Sequence, residues 1–263
     1  MSRLFIMLLG TLGTALAQTN SSSTPGAEEQ SVVIADARVH ALQHESSLPD
    51  FVCTQTTHRF ESASADNWQP IDVIVERLTY FDHREEYKVL TLDGQPADIV
   101  HERLNGASSS GEFGSLMKAI FLPETKTEFE WYDRSMLHGK TTQVYAYRVR
   151  SHKSKYHIAV PEQSLDFVAA YHGLIFIDNE DHFVYRVTLH ADGIPAKFPI
   201  QDVEISLDYD YTRIGEADYL LPLQFELSSR EGNRLVKNYV DYSNYQKFSA
   251  ASVVTFDSPD ARK

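Results

Sequence analysis

From Phe51 onward the chain is written with a period of two, and that period limits the fold more than anything else in it. In Thr142–Arg150, Tyr145, Tyr147 and Val149 fall on one side. Phe183, Tyr185, Val187 and Leu189 form a second row against Arg186, Thr188 and His190, and Leu221, Leu223, Phe225 and Leu227 a third. Side chains of a strand alternate between the two faces of its sheet, so these rows describe one apolar and one wetted face. The alternating segments are Phe51–Glu61, Ile71–Phe81, Glu86–Leu92, Thr127–Asp133, Thr142–Arg150 and Lys155–Val160. Ser164–Ile177, Phe183–Ala191, Asp202–Thr212, Leu220–Ser229 and Arg234–Lys247 continue the series, and Pro96–Leu104 is a weaker one. Asp93-Gly94, Asp178-Asn179-Glu180-Asp181 and Glu231-Gly232-Asn233 are turn signals between them. About eleven strands joined by such short turns pair antiparallel, and a sheet that long twists and curls. No fixed repeat is visible, which argues against propellers and solenoids.

A sheet with one apolar face needs a cover, and two helical stripes are available. Thr24-Pro25 can start a helix carrying Val32, Ala35, Val39 and Leu42 on one face as far as about Glu45. In Ser109–Leu122, Ser109 and Glu112 have the spacing of a capping box. Phe113, Leu116, Met117, Ile120 and Phe121 then fall on one helical face, and Pro123 ends the segment. The expected architecture is mainly β, of the α+β kind. A single highly curved antiparallel sheet of about eleven strands forms a half-open barrel, with the helices packed on its concave face.

Residues 1–17 have the three parts of a cleavable signal peptide: Arg3, the apolar run Leu4–Leu12, and Ala15-Leu16-Ala17 before the cut. Residues 18–29 are rich in Ser, Thr, Pro and Gly and read as a disordered leader; 30–249 form the domain, and 250–263 a flexible tail. The chain is therefore expected to be periplasmic or secreted, and peripheral to a membrane at most. Twenty-four Lys and Arg against 37 Asp and Glu give a formal net charge of -13, which disfavours nucleic acid and anionic lipid as partners. The single cysteine, Cys53, cannot close an intrachain disulfide and reads as a buried structural residue.

The residues of reactive type do not assemble into a motif. His40 and His44 are i, i+4 on the first helix, but Ala41 stands where a zinc-protease helix places Glu, so both read as solvated. Asp178–His182 lacks the glycine and the glutamate of a calcium loop and reads as a hairpin turn. Gly106–Gly111 is not a nucleophile elbow, and Asp208 with Asp210 reads as ordinary strand alternation. No metal, no cofactor and no catalytic residue is expected. What remains is aromatic and apolar surface. Tyr145, Tyr147, Phe176, Phe183 and Tyr185 are placed beneath the Phe113–Phe121 stripe as the lining of a ligand cavity, together with Leu116, Met117 and Ile120.

The order of elements, Leu48-Pro49-Asp50-Phe51-Val52-Cys53, and the phrase Gly173, Ile175, Ile177, Asp178 leading to Arg186 resemble the LolA-like superfamily. These are periplasmic lipoprotein carriers with receptor and envelope-stress relatives, and the likeness is nearest to secreted bacterial members. The resemblance implies a half-open barrel whose cavity accepts a hydrophobic ligand or a lipoprotein acyl chain, without enzymatic activity. No arginine here matches the one that closes the lid in the carriers. The alternative expectation is an envelope sensor or assembly module that binds a protein partner. A secreted hydrolase or saccharide binder, stacking sugars on Trp68 or Trp131, ranks last.

Overall fold

The computed structural model describes residues 24–64, 67–101, 104, 112–160 and 163–248. The signal peptide, residues 18–23 of the leader and the tail read from the sequence lie outside them, while residues 27–29 of the leader are already helical. Helix α1 (Ala27–Ser47) precedes β1 (Phe51–Ser62), β2 (Gln69–Phe81), β3 (Arg84–Leu92) and β4 (Gln95–Pro96). Helix α2 (Ser115–Phe121) follows, then β5 (Glu128–Leu137), β6 (Lys140–Val149), β7 (Tyr156–Val160) and β8 (Leu165–Asp178). The chain continues through β9 (Val184–Asp192), β10 (Ile200–Ile214), β11 (Ala217–Glu231) and β12 (Arg234–Lys247).

All twelve strands belong to one antiparallel, unclosed sheet in the order β4-β3-β2-β1-β12-β11-β10-β9-β8-β6-β5, with β7 beside the first half of β8. The last strand pairs with the first, over Phe51–Ser62. The two runs of hairpins, before and after α2, are thereby fused into a single surface. The expected half-barrel is the observed fold. Of the weak segment Pro96–Leu104, Pro96 alone among the described residues is in a strand, the two-residue β4.

Gly173 stands where the pairing of β8 with β9 is interrupted, between His172 and Ile175. A Cβ there would lie 1.9 Å from the carbonyl oxygen of Thr188, so only glycine permits the approach of β8 to β9. That carbonyl accepts the Tyr147 hydroxyl (2.8 Å), and the Thr188 hydroxyl accepts the Leu174 amide (2.8 Å). The groups freed where the ladder opens are thus bonded to side chains. At the β8–β9 turn, Asp178 Oδ1 accepts the amides of Glu180 and Asp181 (2.7 and 3.1 Å), which is hairpin chemistry, as its sequence indicates.

Both helices lie on the inner face, but α1 turns differently from its apolar stripe. Its buried residues are Val33, Ala37, Ala41 and His44, while Val32 and Val39 are half exposed (50% and 51%). Small side chains allow a close approach to the β8–β9 hairpin. There the His40 ring stacks on Phe183 at 3.9 Å and His182 pairs with Asp36 at 2.8 Å. His44 is buried rather than solvated. No helix among the described residues is long and apolar enough to cross a membrane.

Candidate ligand-binding site

Helix α2 has seven residues and begins at Ser115, later than its capping-box spacing indicates. Glu112 and Phe113 sit in a turn before it, Gly114 takes a left-handed φ of 122°, and Ser109 lies outside the described residues. Tertiary contacts account for the late start. Phe113 packs among the rings of Phe51, Tyr80 and Tyr242 at 5.4–5.9 Å, and Tyr209 donates its hydroxyl to the Glu112 carbonyl at 2.9 Å. A carbonyl and a ring held this way pull the backbone out of the helical path.

At its other end, Phe121 stacks on Phe129 of β5 at 5.3 Å, and the Thr127 hydroxyl donates to the Ile120 carbonyl. Thus α2 spans the concave face from β1, β2 and β12 across to β5. Its stripe is turned to the sheet: Phe113, Met117, Ile120 and Phe121 are buried and Leu116 is half-buried.

The sheet surface beneath is aromatic, and several of its hydroxyls are bonded. Tyr145 donates to Gln143 Oε1 at 2.8 Å, and Tyr245 donates to the Pro222 carbonyl at 2.7 Å. Burial pushes the hydroxyls of Tyr145 and Tyr171 up to about 12, so both are neutral. Tyr145, Tyr147 and Tyr185 point inward as read from the sequence. Phe183 lies against α1. Phe176 belongs to the other face, under the Arg186 guanidinium at 5.5 Å, because Ile175 and Ile177 take the inner positions. Tyr80, Tyr171, Phe51 and Tyr242 complete the inner surface. Alternation with Cys53 marks Phe51, and alternation with Ile175 and Ile177 marks Tyr171.

Few polar contacts hold the two helices together. Lys118 reaches Glu45 at 2.8 Å in a partly exposed pair. Gly114 abuts the His44 ring, where a Cβ would meet Cδ2 at 3.0 Å. Burial lowers the His44 pKa to about 4, against the opposing charge of Glu45. Beside this contact a cavity of about 510 Å³ opens between the end of α1, Phe113 and Ser115, and the β2–β3 hairpin. Tyr80 and Phe113 form its apolar wall, and Glu45, His83, Arg84 and Glu85 its polar rim. Burial raises the Glu85 pKa, although its carboxylate accepts the Tyr87 hydroxyl at 2.6 Å.

Groups of reactive type are occupied elsewhere. Burial pushes the Cys53 thiol up to about 12, the opposite of what a nucleophile needs. Asp208 accepts two bonds from Arg186, at 2.5 Å each, and His138 lies 3.2 Å away. Among the described residues no three His, Cys, Asp or Glu side chains converge on a point that could hold a metal.

No protein-family model matches the sequence, and no curated protein does. The fold is similar to that of a DUF1329 family protein from Desulfovibrio piger (9% identity, 84% of this chain and 94% of that one, TM-score 0.44). It is also similar to a LolA superfamily protein from Nitrosomonas europaea (10% identity, 83% and 93%, TM-score 0.35). MucB of Pseudomonas aeruginosa, solved with MucA, matches over 82% of this chain (10% identity, TM-score 0.23). At such identities the likeness concerns fold alone.

Proposed function

We propose that this is an exported, periplasmic or secreted, non-enzymatic protein that holds an acyl chain or another apolar group between α2 and the concave face of the sheet. The observation that carries the proposal is the way α2 is attached. A seven-residue helix covers an aromatic sheet surface through one apolar stripe, and the Lys118–Glu45 pair linking it to α1 is partly exposed. Exposed ion pairs contribute only about 0–1 kcal/mol, so α2 is held chiefly by burial. An apolar guest offers the same burial in exchange, at about 0.8 kcal/mol per methylene. Entry is at the 510 Å³ opening, where Tyr80 and Phe113 lead inward. Phe113, Leu116, Met117, Ile120, Phe121, Tyr145, Tyr147 and Tyr185 line the space that forms when α2 lifts, and Met117 adapts to guests of different shape.

The test is uptake of a fluorescent fatty acid by the full chain, with and without a lock on α2. A Glu45→Cys/Lys118→Cys pair is joined by a short reducible bis-thiosulfonate linker, which spans the distance that the two long side chains of the ion pair bridge. Saturable uptake is expected in the reduced protein, with at least a tenfold loss on cross-linking. Absence of saturable uptake when reduced, or uptake unchanged by the lock, would overturn the proposal.

A further inference from the structure

The face of the sheet without helices carries a cavity of its own. It measures about 920 Å³ and draws on β5, β6, β8, β9, β10 and β11, most of which contribute outward residues two apart in sequence. Five spacings between six strands make its length about 24 Å. Spread over that length, 920 Å³ leaves a cross-section of about 40 Å². That is the width of an extended chain; a helix with its side chains, about 10–12 Å across, would stand proud of it. Gly173 lies in the lining and contributes no side chain to it.

Its chemistry is one-sided. Glu128, Glu130, Glu204 and Glu226 line it, against Arg148 as the single Lys or Arg of the lining. Arg150 and Lys237 hold Glu128 and Glu226 from outside the trough, at 2.5 and 2.8 Å. Neither Glu130 nor Glu204 has a lysine or arginine partner among the described residues. The only partner seen for Glu204 is His190, at 3.6 Å. At the end formed by β5, a bulge turns Tyr132 outward with 62% of its surface exposed. An exposed ring beside carboxylates offers a cation both a π face and a countercharge.

We infer that this trough binds an extended, basic segment of a partner polypeptide, about seven residues long at about 3.4 Å per residue. Lysine or arginine side chains of the segment meet Glu130 and Glu204, and the Tyr132 ring receives one of them at the β5 end. An acidic chain gathers a basic partner by charge and then reads it by shape. The inference does not rest on a guest beneath α2: Phe129 and Tyr147 border both spaces, but Glu130, Glu204 and Tyr132, on which the inference turns, line the trough alone.

The experiment is fluorescence anisotropy of a labelled eight-residue peptide of alternating Arg and Ala, added to the full chain, with a Glu–Ala peptide as its counterpart. Saturable binding of the basic peptide alone is expected. Glu130→Lys/Glu204→Lys should weaken it at least tenfold, while Glu124→Lys/Glu216→Lys, with the same change of net charge outside the trough, should weaken it no more than twofold. All four positions are exposed, so both variants should fold, and far-UV circular dichroism checks that they do. Equal weakening in the two variants would reduce the binding to bulk charge and overturn the inference, as would the absence of saturable binding. Fatty-acid uptake by Glu130→Lys/Glu204→Lys reports separately on the α2 proposal, and should be unchanged.

Discussion

At the scale of single residues, two positions concentrate the consequences of the fold. Gly173 stands where a Cβ would be 1.9 Å from a backbone carbonyl, so even alanine must push β8 away from β9. Gly173→Ala should cost about 3 kcal/mol, the upper end of ordinary single substitutions, read as a lower urea midpoint at unchanged slope. His44 is a histidine buried neutral, with a folded pKa of about 4 against an ordinary 6.5. Below pH 6.5 the unfolded chain takes up a proton that the folded chain refuses. The stability this neutral ring contributes is therefore complete above pH 6.5 and is lost as pH falls to about 4. The loss is about 3 kcal/mol at most, and His44→Leu should remove it. Between pH 7 and pH 4 the urea midpoint of the wild type should fall relative to that of the variant; parallel curves would mean that the ring titrates normally.

At the scale of elements, the strands were written plainly and the helices only in part. Alternation needs a local window alone, and the rows Tyr145–Tyr147–Val149 and Tyr185–Val187–Leu189 lie inward as their period indicates. Helix limits depend on what the ends touch. The Ser109–Glu112 spacing is a local signal, and it loses to the seat of Phe113 among three aromatic rings and to the bond from Tyr209 to the Glu112 carbonyl. In α1 Val32 and Val39 lie outside while Val33, Ala37, Ala41 and His44 lie inside, since the contact with the sheet and its β8–β9 hairpin, rather than the apolar stripe of the helix alone, selects the buried face. Ile120 tests whether α2 belongs to the cooperative core. It is wholly buried, and Ile120→Ala should cost about 2–4 kcal/mol through the cavity left behind. Native-state hydrogen exchange should nevertheless open the α2 amides before those of β6 and β8, because a seven-residue cover can lift without the sheet melting. Exchange of α2 only on global unfolding would contradict its role as a lid.

At the scale of the whole molecule, a site can be invisible in sequence because no single segment contains it. Phe176 illustrates the first difficulty. Leu174–Ile177 is apolar at every position, so alternation cannot choose a face, and the register break between Phe176 and Ile177 adds to the ambiguity. The outer trough illustrates the second, for it is assembled from six strands whose order across the sheet no local pattern records. The same openness leaves the sheet with two edges. Among the described residues the outer edge of β3 is covered by β4 only at Thr91 and Leu92, and β5 has no neighbour on its outer side. A free edge is a template for pairing with another copy, and proteins blunt it with charge and bulges. Strand β5 carries Glu128, Glu130, Asp133 and Arg134 and is bulged between Trp131 and Asp133, while β3 carries Arg84, Glu85, Glu86 and Lys88. A net charge of -13 adds repulsion between copies. The protein should therefore sediment as a monomer. Glu128→Thr/Glu130→Thr/Asp133→Thr, which keeps the strand but strips its carboxylates, should shift it toward dimers in sedimentation velocity. If that variant stays monomeric, the bulge at Tyr132 rather than charge protects the edge, and straightening the bulge by deleting Tyr132 should then release the association.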